Sequence, residues 1–157
     1  MTITSWRIVQ SRHLLSAFSG EGAKLYPGRW NHRGIPVVYT AGSLSLAAME
    51  MLVHLDSAEI LQLYIVVPVT FDKRFCLTLD PTVLPADWTS VAHLPYTRDI
   101  GTTWVARNDS VVLGVPSSIV GIETNFLLNP QHPDFHKLEI GSARKFHYDP
   151  RLLKHHA

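Results

Sequence analysis

The chain is poor in cysteine, in charge of either sign and in long apolar runs, and each shortage removes a class of protein. Cys76 is the only cysteine, so no disulfide can form within the chain and a reducing compartment is the natural setting. Charged residues make up 17% of the chain, Lys+Arg 14 against Asp+Glu 13, for a net charge of +1. Such a balance supplies neither the basic footprint of direct nucleic-acid binding nor an acidic solvating tail. The longest apolar run, residues 63–69, is broken by Pro68 and falls far short of the ~20 residues that cross a bilayer. Residues 1–7 are not followed by an apolar segment of the signal-peptide kind. The expectation is a cytoplasmic protein with no membrane contact.

Familiar catalytic motifs are missing as well. No H-E-x-x-H pattern occurs, the 9 histidines are scattered, and one cysteine cannot build a cysteine-rich zinc site, so no metal is expected. The glycines form neither G-x-G-x-x-G nor G-x-x-x-x-G-K-[ST], which removes the dinucleotide-fold and P-loop sites. No G-x-S-x-G elbow surrounds Ser117 or Ser118, so an acyl-transfer hydrolase is unsupported.

What is present is a core. With 157 residues, 46% of them hydrophobic, the chain reads as one domain over residues 1–157. Residues 5–9, 37–40, 61–71 and 111–115 read as strands, with 119–122 and 141–148 as further candidates. Pro68 points to an edge or a bulge. Residues 18–23, with two glycines and a serine, read as a flexible loop. Ser43 or Ser45 caps a helix running to about His54, apolar nearly all round and therefore expected to be deeply buried. A second helix is expected over residues 98–107, capped by Thr97, with Ile100, Trp104 and Val105 inward. Short strands with two interspersed helices define an α+β domain.

Glu50 is the one carboxylate within that first apolar helix, with His54 one turn on along the same face. Arg29, in a polar loop, and Tyr39, on a short strand, come just before it. A guanidinium reads a phosphate or diphosphate in bidentate fashion. A tyrosine offers a flat face and a hydroxyl. A carboxylate holds ribose hydroxyls or stabilises an oxocarbenium-like centre. A structural ion pair between Arg29 and Glu50, with Tyr39 in the core, explains the same residues equally well. Ser117, after Pro116 at a strand end, is by itself ordinary turn chemistry.

Gly28-Arg29-Trp30-Asn31, then Val38-Tyr39-Thr40-Ala41, then Ala48-Met49-Glu50 resemble the RES domain family. So do Val115-Pro116-Ser117, the run from Asn125 to Phe135, and the closing Phe146-His147-Tyr148-Asp149-Pro150-Arg151-Leu152. The family's arginine, glutamate and serine correspond to Arg29, Glu50 and Ser117. Trp30 stands where phenylalanine is more usual. The resemblance implies an ADP-ribosyltransferase-like split β-sheet, with the catalytic glutamate on a buried helix. It implies a toxin of a toxin–antitoxin pair that takes NAD as substrate, with no separate cofactor, and cleaves it by hydrolysis, by phosphorolysis or by transfer to a protein. It further implies a helix-turn-helix antitoxin as partner. Arg29 would hold the diphosphate, Tyr39 would pack on nicotinamide or its ribose, Glu50 would stabilise the anomeric centre, and Ser117 would orient the pocket. Tyr26, Asn31 and Asn125 are further substrate-binding candidates. The apolar content leaves room for a homodimer interface. The rival class is a non-catalytic binding domain.

Overall fold

The computed structural model describes residues 1–155. Eight strands form one sheet: β1 (Thr2–Gln10), β2 (Val38–Ala41), β3 (Tyr64–Asp72), β4 (Cys76–Thr78), β5 (Val112–Pro116), β6 (Thr124–Leu128), β7 (Glu139–Ile140) and β8 (Arg144–Phe146). The order across the sheet is β4-β5-β6-β2-β1-β3, with β7 and β8 both on the outer edge of β3. Every pairing is antiparallel except β4 with β5. Four α-helices accompany it among the described residues: α1 (Glu21–Leu25), α2 (Leu44–Leu52), α3 (Ser57–Ile60) and α4 (Leu94–Arg107). None is long and apolar enough to cross a membrane.

The sheet is split. β1 pairs with β3 along its whole length, from Thr2↔Asp72 to Gln10↔Tyr64. It meets β2 at a single position, Trp6↔Ala41. Where the two strands part, backbone groups lose their ladder partners and need others. The Arg7 side chain supplies one: its Nη1 donates to Tyr39 O at 2.9 Å, while its Nε donates to Ala17 O in the segment that follows β1. Thr40 Oγ1 adds a bond to Ser5 Oγ at 2.8 Å.

Alternation along the strands builds cores on both faces. Leu113, Val115 and Leu127 pack with Trp104 and Val105 of α4 and with Trp30, while Val112 and Leu128 face the other way onto Val38, Val69 and Phe71. α2 lays Leu46 and Ala47 on Ile8, Ala41, Tyr64 and Val66. The expected deep burial of α2 is not what the fold shows. Only Leu46 and Ala47 are buried, and Met49 and Val53 remain 45% and 57% exposed. A nine-residue helix lying across the split can bury one face, and its apolar outer face stays at the surface.

Other expectations shift for local reasons. Residues 119–122 form a turn, not a strand, because Ser117 Oγ accepts from the N–H groups of Ile119 and Val120 and reverses the chain. α1 starts inside the expected loop 18–23, after Gly20 in the left-handed region at φ 76°. α4 begins at Leu94, with Pro95 in its first turn, so Thr97 lies inside it rather than capping it. Pro68 lies in β3 opposite Trp6 without a bulge, and its carbonyl accepts from Gly141 N at 2.8 Å. Its missing N–H therefore faces the outer edge, at a position that neither β7 nor β8 pairs. The short β4 and α3, the latter closed by an Asp56–Glu59 capping box, were too brief to read from pattern.

Gly101 lets α4 close onto the loop that precedes β2. A Cβ there would lie 1.7 Å from the carbonyl oxygen of Trp30. Backbone cannot rotate away as a side chain can, so Gly101→Ala should destabilise the fold by ~3 kcal/mol, the upper end of overpacking costs. Urea denaturation measures this, and a loss below about 1 kcal/mol would contradict the close approach.

Candidate active site

A cavity of about 650 Å³ opens at the split, between β1, β2, α2, α4 and the loop that carries Arg29. Its volume lies within the usual range for small-molecule sites. The loop is fastened from several sides. Asn31 Oδ1 accepts from Gly28 N at 2.9 Å, and its Nδ2 donates to Ala23 O and Ile35 O. Tyr39 OH donates to Asn31 Oδ1 at 2.6 Å and accepts from Trp30 N at 3.0 Å. Thr97 Oγ1 donates to Arg29 O at 2.7 Å, and Thr102 Oγ1 accepts from His32 N at 3.0 Å. A Cβ at Gly28 would lie 2.7 Å from the Tyr39 ring, so only glycine lets the loop rest on the tyrosine's edge.

Asn31 is thus fully buried behind the loop, which it shapes without lining the cavity. Tyr39 presents its ring to the cavity while its hydroxyl is consumed in the loop. Burial pushes that hydroxyl's pKa well above the ordinary tyrosine value, so it stays a neutral donor. Tyr26 stands at the mouth, 80% exposed.

Glu50 projects from α2 into the cavity. Its Oε1 accepts from Ser117 Oγ and from Asn125 Nδ2, each at 2.7 Å. Ser117 follows β5 and Asn125 lies on β6, where it pairs with Val115, so two neighbouring strands aim two donors at one carboxylate oxygen. Oε2 has no hydrogen-bond partner among the described residues and remains for a ligand. Ser117 is fully buried and touches the carboxylate from behind, while Asn125 also lines the cavity. His54, one turn beyond Glu50, lines the same cavity.

Arg29 completes the group. Its guanidinium lies 5.6 Å above the Trp88 ring, a cation–π distance, and its Nη1 is buried with no hydrogen-bond partner. It forms no ion pair with Glu50 among the described residues, so the structural-pair explanation of these two residues does not hold. Desolvation, and then the like charge of Arg98, pull its pKa below the ordinary arginine value, while Glu50 acts in the opposite direction. An unsatisfied donor on a desolvated cation is suited to an anionic ligand.

The structure thus gathers Arg29, Tyr39, Glu50, Asn125 and Tyr26 at one cavity, with Ser117 and Asn31 directly behind it. Reading the sequence missed Arg7, Trp88 and Arg98. Arg98 left a signal, since Leu94, Arg98, Gly101 and Val105 share one helical stripe and a charge on an inward stripe is unusual. Arg7 left none, because only the split gives it carbonyls to bond. Among the described residues, no group of three or more His, Cys, Asp or Glu side chains could hold a metal ion.

The RES domain profile matches residues 4–149, and the chain belongs to that family. Its curated relatives are toxins. It is 40% identical to Toxin Res of Photorhabdus laumondii, over 95% of this chain and 96% of that protein. It is 36% identical to the Prs ADP-ribosylating toxin of a Sphingobium species, over 98% of this chain and 99% of that protein. The fold superposes on a chain of the M. tuberculosis MbcT–MbcA toxin–antitoxin complex with a TM-score of 0.77, at 18% identity, covering 99% of this chain and 89% of that one. The expected ADP-ribosyltransferase-like split sheet is the fold observed.

Ser117→Ala removes a donor to Glu50 and strands the half-buried N–H groups of Ile119 and Val120. Each unsatisfied buried donor costs roughly 1–3 kcal/mol, so a loss of stability in that range or above is expected from urea denaturation. An unchanged midpoint would mean that Ser117 does not hold this turn.

Proposed function

We propose that the chain is the toxin of a toxin–antitoxin pair and that its cavity binds NAD and breaks the bond between nicotinamide and ribose. The observation that carries this reading is the Glu50 carboxylate: one oxygen is held by Ser117 and Asn125, and the other is free in a cavity lined by guanidinium groups. In NAD the pyridinium nitrogen carries a positive charge. When its bond to the anomeric carbon breaks, the electron pair returns to nitrogen and neutralises it, and the positive charge moves to the ribose. A fixed carboxylate beside that carbon stabilises the transition state, because its position needs no reorganisation. Glu50 Oε2 also suits a ribose hydroxyl as acceptor. Water then adds its oxygen to the anomeric carbon and releases a proton, giving ADP-ribose.

The Tyr39 ring supplies a flat wall for nicotinamide or its ribose, and Arg29 supplies a cation for the diphosphate. Nicotinamide leaves as a neutral molecule, so this chemistry needs neither a metal nor a second cofactor. A second reading keeps the same first step and replaces water with inorganic phosphate or a protein side chain. The name of the Sphingobium relative, an ADP-ribosylating toxin, favours the protein acceptor. A helix-turn-helix antitoxin would neutralise the activity, and the likeness to a chain of a toxin–antitoxin complex supports such a partner.

Purified protein should release nicotinamide from NAD, and Glu50→Gln should slow that release by roughly 10²-fold or more while the protein stays folded. Expression of the unaltered chain should arrest growth with falling NAD, and expression of the Glu50→Gln variant should not. Full turnover by a folded Glu50→Gln variant would remove Glu50 from the reaction. Analysing products with and without phosphate, and with cell extract, identifies the acceptor.

A further inference from the structure

The cavity holds more positive charge than its one carboxylate balances. Arg7, Arg29 and Arg98 line it, against Glu50 as the only acid. Arg7 sits at the back with its fork bonded to Ala17 O and Tyr39 O, and burial pushes its pKa down to about 10. Arg98 reaches in from α4. Its Nε donates to Gly28 O at 2.9 Å and its Nη2 to Pro27 O at 3.4 Å, both in the loop that carries Arg29. Its Nη1 has no hydrogen bond among the described residues. Neither Arg29 nor Arg98 forms an ion pair there.

Arg98 on α4 and Arg29 on the loop it bonds repel each other, Glu50 attracts Arg29 without reaching ion-pair distance, and an anion between the two guanidinium groups would complete the balance. The excess is two positive charges, counted over the four charged side chains of the cavity. The diphosphate of a dinucleotide carries two negative charges. We propose that Arg98 is the specificity-determining residue of this site: with Arg29 it clamps the diphosphate of a nucleotide, so that the pocket selects dinucleotides over nicotinamide riboside. Arg29 offers its guanidinium to one phosphate and Arg98 its free Nη1 to the other. The Arg98 bonds to Gly28 and Pro27 fix the spacing between the two. This assignment rests on the proposed NAD-cleaving reaction for its substrate, and on the charge and geometry of the cavity for its anion.

Calorimetric titration with ADP, adenosine and inorganic phosphate tests the anion site without catalysis. The unaltered chain should bind ADP at least about tenfold more tightly than adenosine or phosphate, since charge-assisted pairs are the strong ones. Arg98→Gln keeps one donor for Gly28 O and loses the charge, and it should erase most of that preference while leaving adenosine binding unchanged. Arg98→Lys should retain part of it. In kinetics, Arg98→Gln should raise KM for NAD about tenfold, a loss several times larger than any it causes on nicotinamide riboside.

Equal binding of ADP and adenosine by the unaltered chain, or an ADP preference that survives Arg98→Gln, overturns the clamp. Phosphate binding as tightly as ADP overturns the nucleotide as its source. Equal losses on NAD and on the riboside reduce Arg98 to a strap for the loop. If Arg98→Gln does not fold, the comparison of Arg98→Lys with the unaltered chain on ADP decides, and full loss of the preference in that charged variant counts against the clamp. An ADP preference without nicotinamide release from NAD would sink the reaction and leave the site. Nicotinamide release without an ADP preference would do the reverse.

Discussion

Glu50 Oε1 accepts two hydrogen bonds of 2.7 Å from residues that lie 67 and 75 positions away in the chain. That contact fixes the carboxylate in the cavity, and it ties α2 to β6 and to the end of β5. Both donors are themselves positioned by backbone. Ser117 turns the chain after β5 and accepts two N–H groups as it does so, and Asn125 is locked opposite Val115 by the β5–β6 ladder. A carboxylate held in this way has lost its rotamer freedom before any ligand arrives, which is the preorganisation that electrostatic catalysis requires.

The cavity exists because the sheet fails to pair in its middle. A continuous β1–β2 ladder would bring backbone to where the ligand space now lies. The split leaves the Tyr39 carbonyl without a strand partner, and Arg7 takes its place at the cost of burying a cation. The loop that carries Arg29 is held against the opposite wall by Tyr39, Asn31, Thr97 and Arg98. Rigid backbone on both sides and unpaired charge between them separate a ligand site from a packing defect.

Much of this was legible in residues. The strands rich in β-branched residues and the Ser43-capped helix announced themselves through composition and caps, and the resemblance supplied the split sheet and the grouping of Arg29, Glu50 and Ser117. Pattern could not show that Asn31 and Ser117 work from behind the cavity, because a buried polar residue and a ligand-facing one look alike in sequence. Nor could it show that α2 would leave Met49 and Val53 at the surface, since an all-round apolar helix carries no mark of which face packs. Residues 119–122 looked like a strand because isoleucine and valine are strand formers. The serine hydroxyl that captured their N–H groups overrode that propensity. Arg7 and Arg98 gain their roles only from tertiary neighbours.

The most direct test of an NAD site centred on Glu50 is the crystal structure of the Glu50→Gln variant soaked with NAD. Intact dinucleotide is expected in the cavity at the split. Its nicotinamide ribose should lie against the side chain at position 50 and its diphosphate within hydrogen-bond distance of Arg29. A dinucleotide bound elsewhere on the molecule, or one reversed so that adenosine meets position 50, would contradict it.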